Sequence, residues 1–517
     1  MNRYSDVSKG IAATGELPGR ITNLPNEVVS RLAKERHALE RALKQPDTTY
    51  LVVPSISVDH EEIQFIQRAL VDYEHRLLWL INRAENGRRV VFVSALPTSR
   101  AATSQLLACA AACSHGNVAL ETICLEDTSP LPLADKILAR QDWLKRLQHT
   151  VQSDDKNVVL VPFMGTDREF HLGEILGIPV AATPFELNYL GTKSGSRKVC
   201  RKASLIVPEG FEDIEDEKQI IEAADELWFK GPERRRLVVK INEGISGFGN
   251  GVLSLPFKDP RELSPSTRRV LLREALEHLS FQTSLQEYDF FMTRLKKIGG
   301  VVEEFLEGKK KTSPSGQGFL HPDGVVELLS THEQILTGPD GMVYDGALFP
   351  AIQKSAIGRD TIKVGEILRD EGAVAYYGVD FLMVDGKRYA LEINLRQGGT
   401  THLRAQAMLS TGATFDARSG DFLDEVGRKM FYAGTDGLKD SRLKTLPIYL
   451  LLEHFDETGL KFRRSRGEGV LFHLLDSVNR SGAVGFTAVS ATRAGAKKLF
   501  RQTRTEINRL LARHGKR

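Results

Sequence analysis

Apolar residues in the first part of the chain come in short runs separated by amphipathic stretches. The runs are Tyr50-Leu-Val-Val-Pro54, Val90-Val-Phe-Val-Ser94, Ala119 to Cys124 and Val158-Val-Leu-Val-Pro162. Runs of this kind predict buried strands of a parallel sheet, and the stretches between them predict the helices that cover both of its faces. We therefore expect an N-terminal arm with one amphipathic helix over residues 1–48 and an α/β domain over residues 49–188.

Further along, apolar and polar residues alternate on both sides of an Asp-Gly turn, and this pattern predicts a β-hairpin over residues 377–394. If the loop is Asp385-Gly386-Lys387, the strand register places Asp380 opposite Glu392. Asn394 then points to the same side of the sheet as Glu392, because side chains alternate with period two.

Two carboxylates and an amide oxygen on one side of a hairpin form a set of oxygen ligands that suits Mg²⁺. Like charges directly opposite each other also destabilise a sheet unless a cation lies between them. The alternative is that these residues are the solvated face of an amphipathic hairpin. The hairpin alone does not decide between the two interpretations.

A second candidate site is a glycine loop that follows the predicted strand Leu237-Val-Val-Lys-Ile-Asn242. The loop contains Gly244, Gly247, Gly249 and Gly251. Glycines in such a loop let backbone N–H groups approach an anion, although they are also ordinary turn residues. Lys240 is a charged residue in an otherwise apolar strand, and it can reach a phosphate or extend to solvent.

The segment Val301-Val-Glu-Glu-Phe-Leu-Glu-Gly308 predicts a strand that ends in an open acidic stretch. Its backbone at Glu304-Phe305-Leu306 can offer an N–H and a C=O group to a purine, and Glu307 can accept ribose hydroxyl groups. An edge strand with exposed acids is the alternative.

Composition sets the class of protein. With 517 residues, 41% of them hydrophobic and 26% charged, the chain is an ordinary globular protein of roughly two to four domains. A net charge of +3 argues against nucleic acid or a membrane as an obligate partner. Basic residues concentrate in a C-terminal helix, for which we expect a docked helix with a solvated basic face. Four cysteines without metal-site spacing, and no secretory or membrane-spanning segment, favour a cytoplasmic location.

The order of these features resembles the ATP-grasp ligases, in which two α+β subdomains enclose ATP. The resemblance assigns Lys193 and Lys240 to the phosphates, and it assigns Gly247, Gly249 and Gly251 to a covering loop. It assigns the segment of Glu303, Glu304, Phe305, Leu306 and Glu307 to adenine and ribose. It further implies that Asp380, Glu392 and Asn394 hold Mg²⁺, for which Mn²⁺ can substitute, and that Arg396 contacts the transferring phosphoryl group.

Two longer strings, Gly191-Thr-Lys-Ser-Gly-Ser-Arg197 and Glu392-Ile-Asn-Leu-Arg-Gln-Gly-Gly-Thr-Thr-His402, are similar to the family of peptide ligases that includes the enzyme of pheganomycin biosynthesis. This resemblance implies a pre-ATP-grasp α/β domain, an ATP-grasp core over residues 189–440 and a small α/β domain over residues 441–517. It also implies an ADP-forming reaction that joins a carboxylate donor to an amine acceptor through an acyl phosphate.

Four residues are candidates for substrate contact. Arg396 and Thr400 can orient the acyl phosphate, and His402 is either a base or substrate contact, or a hydrogen bonder that orders its loop. His332 lies on a strand that can face the acceptor pocket or can be a polar edge strand.

Two other functions stay open: an ATP-grasp phosphotransferase and a non-catalytic nucleotide-binding module. The sequence identifies neither the substrates nor the oligomeric state, for which a homodimer is one option.

Overall fold

A computed structural model describes residues 21–58, 70–83, 88–112, 119–152, 157–244, 248–283 and 286–514. Within these ranges the strands form one parallel and two antiparallel sheets. The predicted fold class is confirmed. No helix in the described ranges is both long enough and apolar enough to cross a lipid bilayer.

The N-terminal sheet has the strand order β3-β2-β1-β4. Its strands are β1 Thr49–Val53, β2 Arg89–Ser94, β3 Ala119–Cys124 and β4 Val158–Pro162, and the helices of this part are α1 Asn26–Lys44, α2 Arg100–Ala112, α3 Leu133–Leu138, α4 Gln141–Gln152 and α5 Asp167–Leu176. Leu51 and Val53 pack with α3, α4 and α5. Tyr50 and Val52 face the other way, toward a 3₁₀ segment, His75–Arg83, that packs against the core of the molecule.

The smaller antiparallel sheet has the order β5-β9-β6-β7-β8. Its elements are α6 Lys193–Lys202, β5 Gly210–Ile214, α7 Glu217–Lys230, β6 Arg236–Ile241, β7 Asn250–Ser254, α8 Pro265–Leu276, β8 Ser280–Phe281, α9 Tyr288–Ile298 and β9 Gly300–Glu304. Leu237, Val239 and Ile241 of β6 are buried under α7, α8 and α9. Because strand side chains alternate, Lys240 points to the opposite face, where it lines a cavity.

The large antiparallel sheet runs β15-β14-β11-β12-β13-β18-β20-β19, with short strands attached. Its elements are β10 Lys311–Thr312, β11 Pro314–Leu320, β12 Val326–Thr337, β13 Val343–Phe349, α10 Lys354–Glu371, β14 Ala375–Val384, β15 Lys387–Asn394, α11 Thr401–Thr411, β16 Thr414–Asp416, β17 Asp421–Leu423, β18 Lys429–Lys439, α12 Ile448–Glu457, β19 Gly469–His473, α13 Ser477–Ser481, β20 Ala483–Ser490 and α14 Arg493–His514.

The C-terminal strands are part of this large sheet. β20 pairs with β18 over seven residue pairs and with β19 over five. The domain boundary that the sequence predicts at residue 441 therefore falls within one continuous sheet. The basic helix α14 docks on β20, where the rings of Phe500 and Phe486 lie 5.3 Å apart.

Candidate active site

The hairpin of β14 and β15 brings the predicted acidic residues together. Asp380 pairs with Glu392 and Gly378 pairs with Asn394, as the sequence predicts. The predicted three-residue loop is wrong, because Val384 pairs with Lys387 and the turn contains only Asp385 and Gly386, both with positive φ. A β-bulge between Asp380 and Phe381 shifts the register by one residue and so restores the predicted pairing.

We refer to Asp380 and Glu392 as the carboxylate pair. Asp380 accepts hydrogen bonds from Gln334 Nε2 at 2.6 Å and Asn394 Nδ2 at 3.0 Å. Glu392 forms an ion pair with Lys193. Burial and the neighbouring Glu392 charge raise the pKa of Asp380 above its usual value. Burial acts the same way on Glu392, but the positive charges of Lys193, Lys240 and Arg396 together lower the pKa of Glu392.

The raised pKa of Asp380 means that the protein alone does not fully compensate the charge of the carboxylate pair. Two carboxylates with the amide oxygen of Asn394 beside them are the kind of oxygen ligands that Mg²⁺ takes. The three residues fit a Mg²⁺ ion, and all three line a cavity of about 810 Å³.

Lys193 owes its position to a tight approach at the start of α6. The Thr192 side chain caps the helix by accepting a hydrogen bond from Gly195 N at 3.0 Å. A Cβ atom on Gly195 would lie 1.8 Å from the carbonyl oxygen of Tyr189, so only glycine fits there. The string Gly191-Thr-Lys-Ser-Gly thus sets the geometry that directs Lys193 to Glu392.

Lys240 belongs to a second group of buried charges, the balanced network, formed by Lys240, Glu303, Arg197 and Glu212. Lys240 Nζ lies 2.5 Å from Glu303 Oε1, and Arg197 contacts Glu303 Oε2 at 2.7 Å and Glu212 at 2.5 Å. Although burial favours the neutral acid, Lys240 and Arg197 lower the pKa of Glu303. Glu303, which the resemblance assigns to the nucleotide base, is thus a buried counter-ion of Lys240.

The glycine loop contributes less of its backbone to the cavity than the sequence suggests. Gly249 N donates to Gln286 Oε1 at 3.0 Å, and Gly251 pairs with Val239 and packs on Leu279. Gly247 lies outside the described residues. The cavity is lined by Gly244 and Phe248 of the loop and by Asn250 at the start of β7.

The acidic segment after β9 lies at the cavity as predicted, with Glu304, Phe305 and Leu306 on its lining. The Phe305 ring lies 3.7 Å from the Arg236 guanidinium. Glu307 lies outside the cavity lining and forms a two-pronged ion pair with Arg236, at 2.8 and 3.0 Å. Its carboxylate is therefore held by a protein partner.

Arg396 and Thr400 lie at the other end of the cavity. Arg396 donates to Asn394 Oδ1 at 2.8 Å and its guanidinium lies 5.6 Å from the Phe163 ring centroid. Thr400 is buried, and its hydroxyl oxygen has no hydrogen-bond partner among the described residues. Arg76 reaches this end from the N-terminal domain and stacks on Tyr73, 4.5 Å from its ring centroid.

The two candidate histidines are both buried, but in different places. His332 is a correction: it lies outside the cavity lining, contacts Tyr432 Oη at 2.7 Å, and has a pKa that burial lowers to about 3. Its neighbour Glu333 is on the cavity lining, and the Glu333 carboxylate accepts a hydrogen bond from Ile352 N at 2.9 Å. His402 contacts Asp436 and His473 behind the cavity wall.

Sequence reasoning missed several residues of this site. Gln334, Tyr344 and Asp436 line the cavity, and no local motif marks them because each is a single side chain from a different strand. Arg197 and His473 could have been found, since each ends a string that resembles the peptide ligases: Gly191 to Arg197 and Gly469-Val-Leu-Phe-His473.

Comparison with known proteins agrees with this geometry. A family model of the ATP-grasp domain matches residues 273–400, and a model of the PGM1 C-terminal domain matches residues 451–503. The fold and the matched domain define an ATP-grasp enzyme. Together with the ligase relative described next, this match supports the prediction of an ADP-forming ATP-grasp ligase.

The chain is similar to the L-propargylglycine–L-glutamate ligase of Streptantibioticus cattleyicolor, with 27% identity over 490 residues that cover 90% of this chain and 89% of the relative. It is 22% identical over 416 residues to IQ motif-containing protein H of Danio rerio, covering 73% of this chain but only 39% of that protein. A solved structure, N5-carboxyaminoimidazole synthetase from Staphylococcus aureus complexed with ADP, is 13% identical with a TM-score of 0.50, covering 90% of this chain and 98% of that one. At this identity the likeness concerns the fold alone.

Proposed function

We propose that this chain joins a carboxylate donor to an amine acceptor, forming an amide bond at the expense of ATP, with an acyl phosphate as intermediate. The observation that carries the proposal is the carboxylate pair in the wall of a cavity that also receives Lys193, Lys240 and Arg396. Two opposed carboxylates beside three cationic side chains suit a triphosphate with its divalent ion. The opposed carboxylates have no evident role in stabilising the fold.

In the proposed first step, a carboxylate oxygen of the donor attacks the γ-phosphorus of ATP in line. The bond from that phosphorus to the β,γ-bridging oxygen breaks, and ADP leaves. Lys240 and Arg396 stabilise the negative charge on the phosphoryl oxygens, and Lys193 positions the phosphates. Asp380, Glu392 and Asn394 would hold Mg²⁺, or Mn²⁺ in its place, and that ion would add positive charge at the phosphate oxygens when bound.

In the second step, the amine nitrogen of the acceptor attacks the acyl carbon and loses a proton, and phosphate leaves. The buried hydroxyl of Thr400 is available to bind the acyl phosphate. Water has to be excluded during this step, since it would hydrolyse the intermediate. Phe163 and Tyr344 supply apolar surface on the cavity lining near Arg396 and Thr400.

The substrates that we propose are amino acids or short peptides, in specialised peptide metabolism. The support is the similarity to a ligase whose name specifies two amino acids. The Arg76 guanidinium on the cavity lining also suits the carboxylate group of such a molecule. Arg76 is suited to the carboxylate because its planar guanidinium binds such groups with two parallel hydrogen bonds.

The test is to incubate the protein with ATP, Mg²⁺ and pooled amino acids and dipeptides, and to measure phosphate, ADP and product masses. We expect substrate-dependent phosphate and a product lighter than its two parents by one water. Hydroxylamine added in place of the acceptor should trap the acyl phosphate as a hydroxamate. A phosphorylated product without condensation would instead support the phosphotransferase, and nucleotide binding without turnover in any pool would support the non-catalytic module.

A further inference from the structure

A compact group of two histidines and one aspartate lies beside the cavity, with Asp436 on the cavity lining and both histidines outside it. We refer to His402, Asp436 and His473 as the histidine cluster. His402 is in the first turn of α11, Asp436 is on β18, and His473 is the last residue of β19. The side chains of His402 and His473 are 1% and 0% exposed, and that of Asp436 is 10% exposed.

The three inward atoms converge on one point. Asp436 Oδ1 lies 2.8 Å from His402 Nε2 and 2.6 Å from His473 Nε2, and the two nitrogens are 3.2 Å apart. Ligands bound at about 2.0 to 2.1 Å around one transition-metal ion are themselves separated by roughly 2.9 to 3.4 Å. The observed triangle is close to that size, so a small adjustment makes room for an ion.

An independent contact fixes the proton of His473. Its Nδ1 lies 3.0 Å from Gln406 Oε1. The Gln406 amide is oriented by a hydrogen bond from its Nε2 to the Phe472 carbonyl oxygen at 3.2 Å, and Thr487 donates to the same Oε1. Gln406 Oε1 is therefore an acceptor, and His473 Nδ1 carries the proton. In the neutral imidazole, the lone pair of Nε2 then points into the histidine cluster.

This arrangement matches the surroundings of metal-binding residues in proteins. A histidine that binds a metal commonly donates its other N–H to a fixed acceptor, and a carboxylate ligand is held by a further hydrogen bond. Gln406 serves the first purpose for His473. Arg76 serves the second, since its Nη1 lies 3.4 Å from Asp436 Oδ2 and leaves Oδ1 for the ion.

We propose that His402, Asp436 and His473 bind a divalent transition-metal ion through Nε2, Oδ1 and Nε2. Two imidazoles and one carboxylate favour Zn²⁺ or Fe²⁺, whereas Mg²⁺ and Ca²⁺ prefer oxygen ligands. The site is distinct from that of the carboxylate pair, with which it shares no residue. Because His402 follows Thr400 by two residues, the ion would fasten the segment that carries Arg396 and Thr400 to the C-terminal strands.

The test uses the full chain, purified without a chelating resin or histidine tag and equilibrated with Zn²⁺ or with Fe²⁺ under anaerobic conditions. Elemental analysis should find one ion per chain in the wild type. His473→Gln and Asp436→Asn should weaken binding at least tenfold, and Gln406→Leu should weaken it by about 10- to 100-fold, as removal of an outer hydrogen-bond partner does. His171→Gln removes a histidine that is 60% exposed and should change nothing.

A second measurement needs no variant and so does not depend on how well the variants fold. Co²⁺ bound at this site should give the visible absorption of an ion with nitrogen ligands and low coordination number, and Zn²⁺ should abolish it by displacement. Asp380→Asn should leave both readouts unchanged. The proposal is overturned if the wild type takes up no Zn²⁺, Fe²⁺ or Co²⁺, if the cluster variants retain as much ion as the wild type, or if Asp380→Asn removes it.

Discussion

Two groups of charged side chains reach the cavity, the buried balanced network and the half-buried carboxylate pair, and their charges are compensated in opposite ways. In the balanced network each carboxylate has a cation within ion-pair distance, and the pKa of Glu303 is lowered. In the carboxylate pair Glu392 has Lys193, whereas Asp380 accepts hydrogen bonds from the amides of Gln334 and Asn394 and its pKa is raised. Buried charges that stabilise a fold are paired with each other. Buried charges that remain uncompensated indicate a ligand that supplies the missing charge.

The largest effect that would test this difference is on catalysis. Glu392→Gln keeps the shape of the side chain but removes one charge from the carboxylate pair, so we expect turnover to fall by about 10²- to 10³-fold. Phosphate release at saturating ATP measures it. Glu366→Gln, at an exposed position of α10, is the matched control and should keep wild-type turnover. If the turnover of Glu392→Gln were within threefold of the wild-type turnover, the role of Glu392 in catalysis would be refuted.

Substitutions in the balanced network should instead lower the stability of the fold. Arg197→Met leaves Glu303 and Glu212 buried with less compensation, and we expect a loss of about 3 to 5 kcal/mol in the free energy of unfolding. Chemical denaturation measures it. The control is Arg201→Met, which removes a partner of Glu212 that is 40% exposed and should cost less than about 1 kcal/mol. Equal losses in the two variants would contradict the distinction between buried and exposed pairs.

The raised pKa of Asp380 predicts that metal binding depends on pH. A proton on Asp380 competes with a cation, and the raised pKa keeps that proton bound to higher pH than usual. Affinity should therefore rise with pH, by up to about tenfold per pH unit below the pKa. Mn²⁺ binding between pH 6 and pH 8, followed by electron paramagnetic resonance, measures it. Asp380→Asn should bind weakly and without this pH dependence; a flat wild-type profile would argue against cation binding at Asp380.

The smallest effect is expected at Glu307. Because Arg236 already holds its carboxylate and the residue lies outside the cavity lining, Glu307→Gln should change the KM for ATP by no more than a few-fold. Initial rates over a range of ATP concentrations measure this, with turnover as the reference. A tenfold or larger rise in the KM for ATP at unchanged turnover would show that Glu307 contacts the ribose after all.

The sequence predicts local geometry well and long-range pairing poorly. The period-two alternation was enough to pair Asp380 with Glu392, although the turn is shorter than predicted and a bulge compensates for it. The same alternation left His332 open between the acceptor pocket and a polar edge strand. In the fold β12 lies between β11 and β13, and His332 is outside the cavity lining. The resemblance assigned the segment of Glu303 to adenine and ribose, whereas the partners of Glu303, Lys240 and Arg197, are known only from the fold.

The C-terminal strands show the same limit on a larger scale. Each apolar segment after residue 441 is visible in the sequence, yet nothing local indicates that β20 pairs with β18. Asp436 had no motif at all, and His473 had one only through the resemblance to the peptide ligases. The histidine cluster therefore appears only when α11, β18 and β19 are placed together.

The position of β20 has a consequence for how the protein is made. During synthesis, β18 and its Asp436 leave the ribosome well before β20, so one side of the large sheet has no partner strand until about fifty more residues have been added at roughly 5 to 20 residues per second. For those seconds the nascent chain exposes a sheet edge that can pair with other chains. We expect a chain truncated before β20 to aggregate more readily than the chain that contains it, because this edge of the sheet then stays unpaired.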